Sequence, residues 1–345
     1  MTARPVRRDE WASIVDSDPD AFLTHTPRWM DCLVELGGYE DASRLYEMAD
    51  GRRMVLPLAR RTRLPGWLAV HHSLPATWGY SGLVGDPLHP ADVAQVVDDL
   101  RALGGASVSI RPSPAASEVW DAGAPPSVGR SARATHLVDL RDGFESVWTN
   151  RIKTKTRTKV RRAERVGVVV ERDNTGAYVD AFYDLYLGWL AERAERHNLP
   201  KRISVATGRH RELRRKFEVV AAAFPDNCIT WIALIDDQPI ASCIQLVHGA
   251  HSLYWRGFSD RTMAGKTKAN YLLQKLMLEE AAERGCQCHH LGESGGVETL
   301  MQFKEAFGAV RHDYHVFTLE RLPVNRAHDL ATGWRSQVES RLSRS

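Results

Sequence analysis

The sequence predicts an α+β protein in which helices flank mixed, largely antiparallel β-sheets. At 345 residues the chain is too long for one ordinary hydrophobic core, so two domains of about 150 residues each are expected. In the second half, three strand-like runs are separated only by short turns, which favours neighbouring antiparallel strands. Helical periodicity occurs on both sides of these runs, and this order is typical of helices packed on a mixed sheet.

Composition is typical of a globular protein, with 43% apolar and 26% charged residues. No run approaches the roughly 20 apolar residues of a membrane span. The N-terminal residues lack the apolar segment of a secretory signal. The five cysteines show no framework spacing, so reduced thiols in a cytoplasmic protein are the simplest interpretation.

The first half is predicted to begin with two helices within residues 9–36. Pro27 suits the first turn of the second helix, and Gly37 with Gly38 suits its end. A further amphipathic helix is predicted over 90–103, and residues 112–128, rich in Pro, Ala and Ser, suggest an exposed excursion. The predicted strands of this half are 43–48, 54–59, 67–71, 107–110 and 136–140.

Residues 73–86 form a loop dense in glycine, proline and aromatic residues, among them Trp78 and Tyr80. Loops of this kind lie at the surface, and aromatic side chains placed there often bind a ligand. The alternative is a packed connector. Both interpretations stay open on the sequence.

The most unusual composition lies between Arg151 and Arg165. Removing its eight basic residues and one acidic residue from the chain totals of 46 and 43 leaves 38 and 42, so the positive charge is local. A concentrated basic helix favours phosphate groups, whereas the alternative is a solvated helix face. The candidate phosphate-binding residues are Arg151, Lys153, Lys155, Arg157, Lys159, Arg161 and Arg162.

The rest of the second half reads as alternating helices and strands. Helices are predicted over 178–196 and 209–223, and a terminal amphipathic helix over 324–344. Another helix carries apolar residues at three- and four-residue spacing from Leu272 to Ala281 and ends at Arg284 and Gly285. The predicted strands are 168–172, 229–236, 238–248, 251–259 and 286–291; the last is followed by a glycine-rich turn and a short helix.

Several motifs of the second half occur in an order and spacing found together in one known superfamily. They are KVRRAERVGV (159–168), YWRGFSD (254–260), ANYLLQ (269–274), LGESGG (291–296) and the F-K-x-x-F-G pattern that starts at Phe303. The chain resembles the GNAT acetyltransferase superfamily, and within it the Fem-type aminoacyl-tRNA-dependent transferases and Fem-like acetyltransferase domains. The segments PRWMDCLVEL and SLPATWGYSG extend this resemblance over nearly the full chain.

The resemblance implies two tandem GNAT-like domains. We expect an N-terminal domain over 1–144 and a catalytic domain over 145–323, with a C-terminal helix over 324–345 that packs back on the first domain. The activity implied is acyl transfer to an amine, which forms an amide bond.

Aminoacyl-tRNA is the donor that the resemblance favours. The glycine-rich pyrophosphate signature of acetyltransferases is not intact, because RTMAGKTKAN (261–270) stands in its place with Gly265 as its only glycine. Fem-type proteins commonly lose this signature because they do not use coenzyme A. Acetyl- or acyl-CoA is the alternative donor, and no bound cofactor or metal is expected. A non-catalytic nucleic-acid-binding module is a third interpretation.

The acceptor is expected to be a small-molecule or peptide amine. The helical hairpin insertion of some cell-wall members is not visible, which argues against cell-wall crosslinking. Candidate acceptor-binding residues are Trp78, Tyr80, Tyr254 and Trp255. The sequence does not identify the acceptor, the transferred group or the oligomeric state.

Two residues are candidates for the chemical step. Lys304, the lysine of the F-K pattern, is implied to assist the oxyanion or the leaving group, unless it is a surface lysine. Glu293 could accept a proton from the amine, unless it caps the next helix. Cationic residues before the Asn270 helix, where backbone amides favour phosphate, are donor-binding candidates. The donor-binding candidates are Arg261, Lys266, Lys268, Asn270 and Phe303.

Three competing motifs are disfavoured. Residues 292–296 fit a nucleophile elbow, but too little chain follows to complete a hydrolase fold. Residues 265–267 imitate the end of a P-loop, but Asp260 stands where its first glycine belongs. Cys286, Cys288 and His290 face one side of the predicted strand and His289 the other. Without a paired ligand cluster elsewhere, this pattern argues against zinc.

Overall fold

A computed structural model describes residues 1–321 of the chain. The chain divides into two compact units, one formed by residues 1–133 with the described residues from 313 onward, the other by residues 134–312. The domain division at residue 144 stays a prediction, and the C-terminal helix predicted over 324–345 lies outside the described residues. Within residues 1–321, no helix is both long enough and apolar enough to cross a bilayer.

The first part of the chain contains short strands and four helices, with two 3₁₀ turns at Leu23–His25 and Gly66–Leu68. The helices are α1 (Arg8–Ser17), α2 (Pro27–Glu35), α3 (Pro90–Ala102) and α4 (Ser117–Gly123). The strands are β1 (Thr2–Pro5), β2 (Tyr39–Asp41), β3 (Arg44–Glu47), β4 (Arg53–Leu56), β5 (Ala59–Arg61), β6 (Val70–His72), β7 (Val84–Gly85), β8 (Ser107–Ile110) and β9 (Gly129–Asp139).

The second part contains longer strands and eight helices, with a π-helical turn at Val147–Arg151. The helices are α5 (Gly143–Ser146), α6 (Thr154–Arg165), α7 (Val179–Arg196), α8 (Lys201–Arg211), α9 (Arg214–Ala223), α10 (Arg261–Thr267), α11 (Ala269–Glu283) and α12 (Glu298–Glu305). The strands are β10 (Val169–Asp173), β11 (Cys228–Ile235), β12 (Gln238–His248), β13 (His251–Ser259), β14 (Cys288–Glu293) and β15 (Val310–Glu320).

The first unit contains a four-stranded antiparallel sheet in the order β1-β3-β4-β7 and a second row of strands in the order β15-β8-β6-β5-β2. In the second row only β6 and β8 run parallel. The apolar face of α3, with Val93, Val96, Val97 and Leu100, is fully buried in the core. This face has the spacing that predicted the helix.

The segment 112–128, predicted to be exposed, is instead part of this core. It carries α4, whose Trp120 is fully buried and lies with its ring centroid 5.4 Å from that of Phe317. A buried tryptophan contributes more apolar area than the small residues around it, so it determines the packing of the segment. The strand predicted over 67–71 is also partly wrong, because the 3₁₀ turn precedes β6.

The second unit is a mixed sheet in the order β10-β11-β12-β13-β14-β9, in which only β13 and β14 run parallel. The predicted antiparallel meander of β11, β12 and β13 is therefore confirmed. Asp236 and Asp237 form the first of its turns with positive φ angles of 48° and 59°. Helix α11 buries the predicted apolar stripe, including Leu273, Met277 and Ala281, against the sheet.

Three helices of this unit were not predicted: the short α5, α8 and α10. Helix α8 covers residues 201–211, of which only the last three fell within the helix predicted over 209–223, and Leu213 separates it from α9. Helix α10 occupies residues 261–267, within the segment that stands in place of the pyrophosphate signature. Its first turn is capped by Asp260, whose carboxylate accepts a hydrogen bond from the amide of Met263 at 2.8 Å.

Asp173 holds the connection between β10 and α7. Its carboxylate accepts hydrogen bonds from the amides of Thr175, Gly176 and Tyr178, at 2.9, 3.1 and 3.2 Å, and from the Thr175 hydroxyl at 2.6 Å. Burial by itself raises the pKa of Asp173, but these hydrogen bonds outweigh it and lower the pKa below the ordinary value.

Replacing Asp173 by alanine should therefore lower the free energy of unfolding at pH 7 by about 2 kcal/mol, since hydrogen bonds to a charged carboxylate are lost. A carboxylate with a lowered folded-state pKa stabilises above its unfolded pKa, and this contribution disappears as the pH falls through the folded pKa. Urea unfolding should show the difference between wild type and variant shrinking below about pH 4. Asp180→Ala, at an exposed site in the first turn of the same helix, is the control. An equal loss in both variants, or a difference that does not change with pH, would contradict this role.

Candidate active site

The parallel strands β13 and β14 separate after three paired positions. His251 pairs with Cys288, Ser252 with His289, and Leu253 with His290. Beyond these pairs β13 continues to Ser259 and β14 to Glu293. The pairing of β13 with β12 shifts at Ile244/Gln245, and that of β14 with β9 shifts between His290 and Glu293. The ladder pairing of β13 with β14 therefore ends at Leu253 and His290, and we call the region between the two strands beyond these residues the wedge.

Lys304 and Glu293, the two predicted catalytic residues, lie together at the open end of β14. The Lys304 ammonium donates hydrogen bonds to the carbonyl oxygens of Gly292 at 2.7 Å and Glu293 at 2.9 Å. Lys304 is only 4% exposed, so the interpretation as a surface lysine is wrong. Burial lowers the pKa of Lys304 to about 8, and the Glu293 charge opposes this shift.

An ammonium group has three N–H bonds, and the two carbonyls engage two of them. One N–H can still be directed to a reacting oxygen. A pKa near neutrality also suits a group that gives up a proton during the reaction. The position of Lys304 is thus compatible with the predicted chemistry, and the nitrogen that holds the end of β14 is also the one for which a catalytic role is predicted.

Phe303 belongs to an aromatic cluster beside this lysine. Its ring centroid lies 4.9 Å from that of Tyr271 on α11 and 5.2 Å from that of Phe307. Lys159 of α6 completes the cluster, because its ammonium lies 2.9 Å from the Tyr271 hydroxyl and 4.5 Å from the ring centre. The conspicuous F-K-x-x-F pattern therefore fastens α12 to α11 and α6.

The predicted donor-binding cations surround the junction of α10 and α11. Arg261 and Lys266 lie in α10 and are exposed, and both precede α11, the helix that contains Asn270, as predicted. Lys268 links the two helices with a left-handed φ of 68°, and its ammonium donates to the carbonyl of Gly265 at 2.5 Å. Asn270 donates to the Ser259 hydroxyl at 3.2 Å.

The first amides of α11 are engaged with this junction. The amide of Ala269 donates to the Thr267 hydroxyl at 3.4 Å, and the amide of Tyr271 donates to the Lys268 carbonyl at 2.9 Å. Helix N-termini bind phosphate through amides that lack a partner within the protein. The junction therefore offers a pyrophosphate fewer backbone donors than an open glycine-rich loop.

The basic segment divides into internal and exposed cations. Arg151 donates to the carbonyl oxygens of Asp139 at 2.8 Å and Gly308 at 3.3 Å. Arg157 donates to the carbonyls of Trp148 and Thr149 in the preceding π-helical turn and to that of Ile152 directly after it. Together with Lys159, these two residues have structural contacts that a count of charges does not reveal.

The remaining cations form what we call the basic face: Lys153, Lys155, Arg161, Arg162 and Arg165. All five are exposed, and no ion pair to them occurs within residues 1–321. The opposite side of α6 buries Thr156, Val160 and Ala163 in the core of the unit. The helix thus presents a concentrated positive surface on a rigid support, as phosphate recognition requires.

The four predicted acceptor-binding aromatics have packing contacts. Trp78 is 5% and Tyr80 4% exposed; their ring centroids lie 5.6 Å from that of Trp29 and 5.8 Å from that of Phe22. Trp255 is buried with its indole 5.0 Å from the Lys216 ammonium. Tyr254 is partly buried, and burial raises its pKa. The packed-connector alternative describes the loop of Trp78 and Tyr80, and acceptor binding stays a prediction.

A cavity that the sequence did not indicate lies beside α7, with a volume of about 410 Å³. Asp184, Glu192 and Asp260 line it together with Trp189, and Pro239 contributes apolar surface. Carboxylates with an indole favour cationic groups over phosphates. The cavity and the basic face therefore carry charge of opposite sign.

Comparison with known proteins agrees with this geometry. Residues 150–305 match the family model described as an acetyltransferase (GNAT) domain. The match contains the basic face, the wedge and Lys304. No curated protein matches the sequence.

Solved structures share the fold over nearly the whole chain. The structure of FemX aligns with a TM-score of 0.64 at 14% identity, covering 92% of this chain and 97% of that one. The C-terminal domain of a putative lysylphosphatidylglycerol synthetase from Agrobacterium fabrum aligns with a TM-score of 0.52 at 16% identity, covering 93% and 95%. A tandem GNAT protein from the clavulanic acid biosynthesis pathway aligns with a TM-score of 0.50 at 11% identity, covering 92% and 98%.

At these identities the solved structures show the fold alone, and the family match adds the catalytic class. The predicted α+β fold and the resemblance to GNAT and Fem-like proteins are confirmed. The family match supports an acyltransferase enzyme.

Proposed function

We propose that this protein transfers an aminoacyl group from aminoacyl-tRNA to the amine of a small molecule or peptide. The observation that carries the proposal is the basic face of α6. It places five exposed cations in the unit that contains the GNAT match and the wedge between β13 and β14. A polyanionic donor is attracted by such a surface far more strongly than a small acyl thioester with few phosphates.

The junction of α10 and α11 supports the same donor. Coenzyme A binding on a GNAT fold relies on backbone amides that receive its pyrophosphate. Here the amides of Ala269 and Tyr271 already donate within the protein. Phosphate attraction is stronger at the exposed cations of α6, where the charge has no partner among the described residues.

The reaction forms one C–N bond and breaks one C–O bond. The acceptor amine attacks the ester carbonyl of the donor, negative charge develops on the carbonyl oxygen, and the ribose oxygen of the tRNA leaves. We assign Lys304 to the stabilisation of these oxygens, because its third N–H bond is not used by Gly292 and Glu293. Glu293 receives the proton that the amine loses, directly or through water, and the leaving oxygen gains a proton.

An acetyl- or acyl-CoA donor is the second candidate. The observation that favours it is the wedge between β13 and β14 in a domain that matches acetyltransferases. Arg261 and Lys266, exposed on α10, would contribute to phosphate binding in that case. A nucleic-acid-binding module without catalysis is the third candidate, and it uses the basic face alone.

Binding measurements distinguish aminoacyl-tRNA from acyl-CoA as the donor. We expect fluorescence anisotropy with charged tRNA to show an affinity that falls steeply with salt, with a slope reporting about three to five phosphate contacts. Calorimetric titration with coenzyme A should give little heat. Tight coenzyme A binding with only weak, non-specific tRNA affinity would contradict the proposed donor and favour the second candidate.

A further inference from the structure

We propose that His251, Cys288 and His290 form a zinc-binding site. One ligand atom from each of these residues lies within 4.8 Å of the other two. The site goes beyond the proposed acyl transfer, since none of the three residues takes part in that chemistry. It also differs from the sequence-based expectation of no metal.

The sheet register brings the three residues together. His251 is the first residue of β13 and pairs with Cys288, the first residue of β14. His290 lies two positions further along β14 and therefore points to the same face as Cys288. His289 points to the other face, where its ring nitrogens lie 2.9 Å from the Ser252 hydroxyl and 3.1 Å from the Gln274 amide.

The separation of the two imidazoles suits a tetrahedral ion. Nδ1 of His251 and Nε2 of His290 lie 3.1 Å apart. Two nitrogens bound at about 2.0–2.1 Å to a tetrahedral zinc ion are about 3.3–3.4 Å apart. The ion would replace the hydrogen bond between the rings with little movement of either strand. The Cys288 sulfur lies within 4.8 Å of both nitrogens and moves towards the ion on binding.

The chemistry of the three ligand atoms determines which class of metal ion the site favours. Two imidazoles and one thiolate are borderline-soft ligands, which favour Zn²⁺ over Mg²⁺ or Ca²⁺. Three protein ligands leave a fourth position for water. Asp139, the register partner of Cys288 on β9, is held by Arg141 at 2.6 Å and lies outside the ligand cluster.

The proposed site lies where a bound ion would link strands β13 and β14. The three residues occupy the paired end of β13 and β14, immediately before the strands separate. A bound ion links the two strands where their hydrogen bonding ends. It thereby fixes the closed end of the wedge without entering its open end at Gly292 and Glu293.

Cobalt is the spectroscopic probe for this site. The full-length protein is titrated with Co²⁺ under reducing conditions without a chelating thiol. The visible absorption of tetrahedral Co²⁺ should appear and should saturate at one equivalent of the ion. A thiolate-to-cobalt charge-transfer band in the near ultraviolet should accompany it. One equivalent of Zn²⁺ should displace the cobalt and remove both signals. The charge-transfer band should be absent in Cys288→Ser and retained in Cys286→Ser, the control two residues away.

His251→Asn provides a second variant, because His251 is only half-buried and its replacement does not open the core. Loss of one ligand should weaken cobalt binding by about 10-fold or more, since even residues that only orient a ligand change affinity by about 10–100-fold. Circular dichroism checks that each variant is folded. The proposal is overturned if folded wild type gives no cobalt band, if the Cys288→Ser band equals that of wild type, or if His251→Asn binds as tightly.

Discussion

Replacing Lys304 by alanine should lower the rate of acyl transfer by about 100-fold or more, the effect expected when a donor to a developing oxyanion is removed. The Lys304 ammonium lies at the open end of β14, where it donates to the carbonyls of Gly292 and Glu293. Steady-state rates with hydroxylamine as a surrogate amine measure the effect without knowledge of the natural acceptor. Lys275→Ala, which removes a partly exposed lysine of α11, should leave the rate within about twofold, as expected for a surface substitution.

The same substitution also removes two hydrogen bonds to partly buried carbonyls, and the expected loss of stability is about 1–3 kcal/mol. Urea unfolding must therefore show that the variant is folded under the assay conditions. Lys304→Arg keeps the charge and the donors but changes their geometry, so it should recover stability more fully than rate. If folded Lys304→Ala transfers the acyl group at the wild-type rate, Lys304 only holds β14, and the non-catalytic interpretation of this residue is correct.

Removing four cations of the basic face, Lys155, Arg161, Arg162 and Arg165, should weaken tRNA binding by about 100-fold or more near physiological salt. The same variant should reduce the salt slope of binding by about three, because each lost phosphate contact removes the release of counterions. Anisotropy with charged tRNA over a salt series measures both quantities. The side chains are exposed and point away from the core, so thermal stability should stay close to that of wild type.

An equal loss of positive charge on another helix tests the specificity of this effect. Helix α8 carries the exposed cations Lys201, Arg202, Arg209 and Arg211 in the same unit. Their replacement by alanine changes the net charge by the same amount, yet it should weaken tRNA binding by less than about 10-fold. Similar losses in the two quadruple variants would show that net charge alone, and not the basic face, determines tRNA affinity.

Much of the fold could be predicted because it rests on local patterns. The apolar stripe of α11 and the short turns between β11, β12 and β13 specify a helix and an antiparallel meander without knowledge of the rest of the chain. Trp120 shows where this reasoning ends. Its segment is rich in small residues and proline, and only the tertiary structure reveals that the indole is buried against Phe317.

The sequence identified many residues of the candidate site, but it did not reveal which residues they contact. The charge run indicates a basic helix, yet Arg157 and Lys159 could be recognised as internal only from their contacts with the π-helical turn and Tyr271. The prediction that Cys288 and His290 face the same side of their strand was correct. His251 was not recognised as a third ligand because it lies on a different strand. Long-range pairing of this kind leaves no signal in a single sequence.

The most direct test of the proposed donor is the formation of aminoacyl hydroxamate from labelled aminoacyl-tRNA and hydroxylamine. We expect the wild-type protein to accelerate this reaction, with the rate falling in both Lys304→Ala and the basic-face variant. Acetyl-CoA supplied in place of the tRNA should give no acceleration. Catalysed hydroxamate formation from acetyl-CoA, with none above background from aminoacyl-tRNA, would contradict the proposed function and identify the protein as a coenzyme A-dependent acyltransferase.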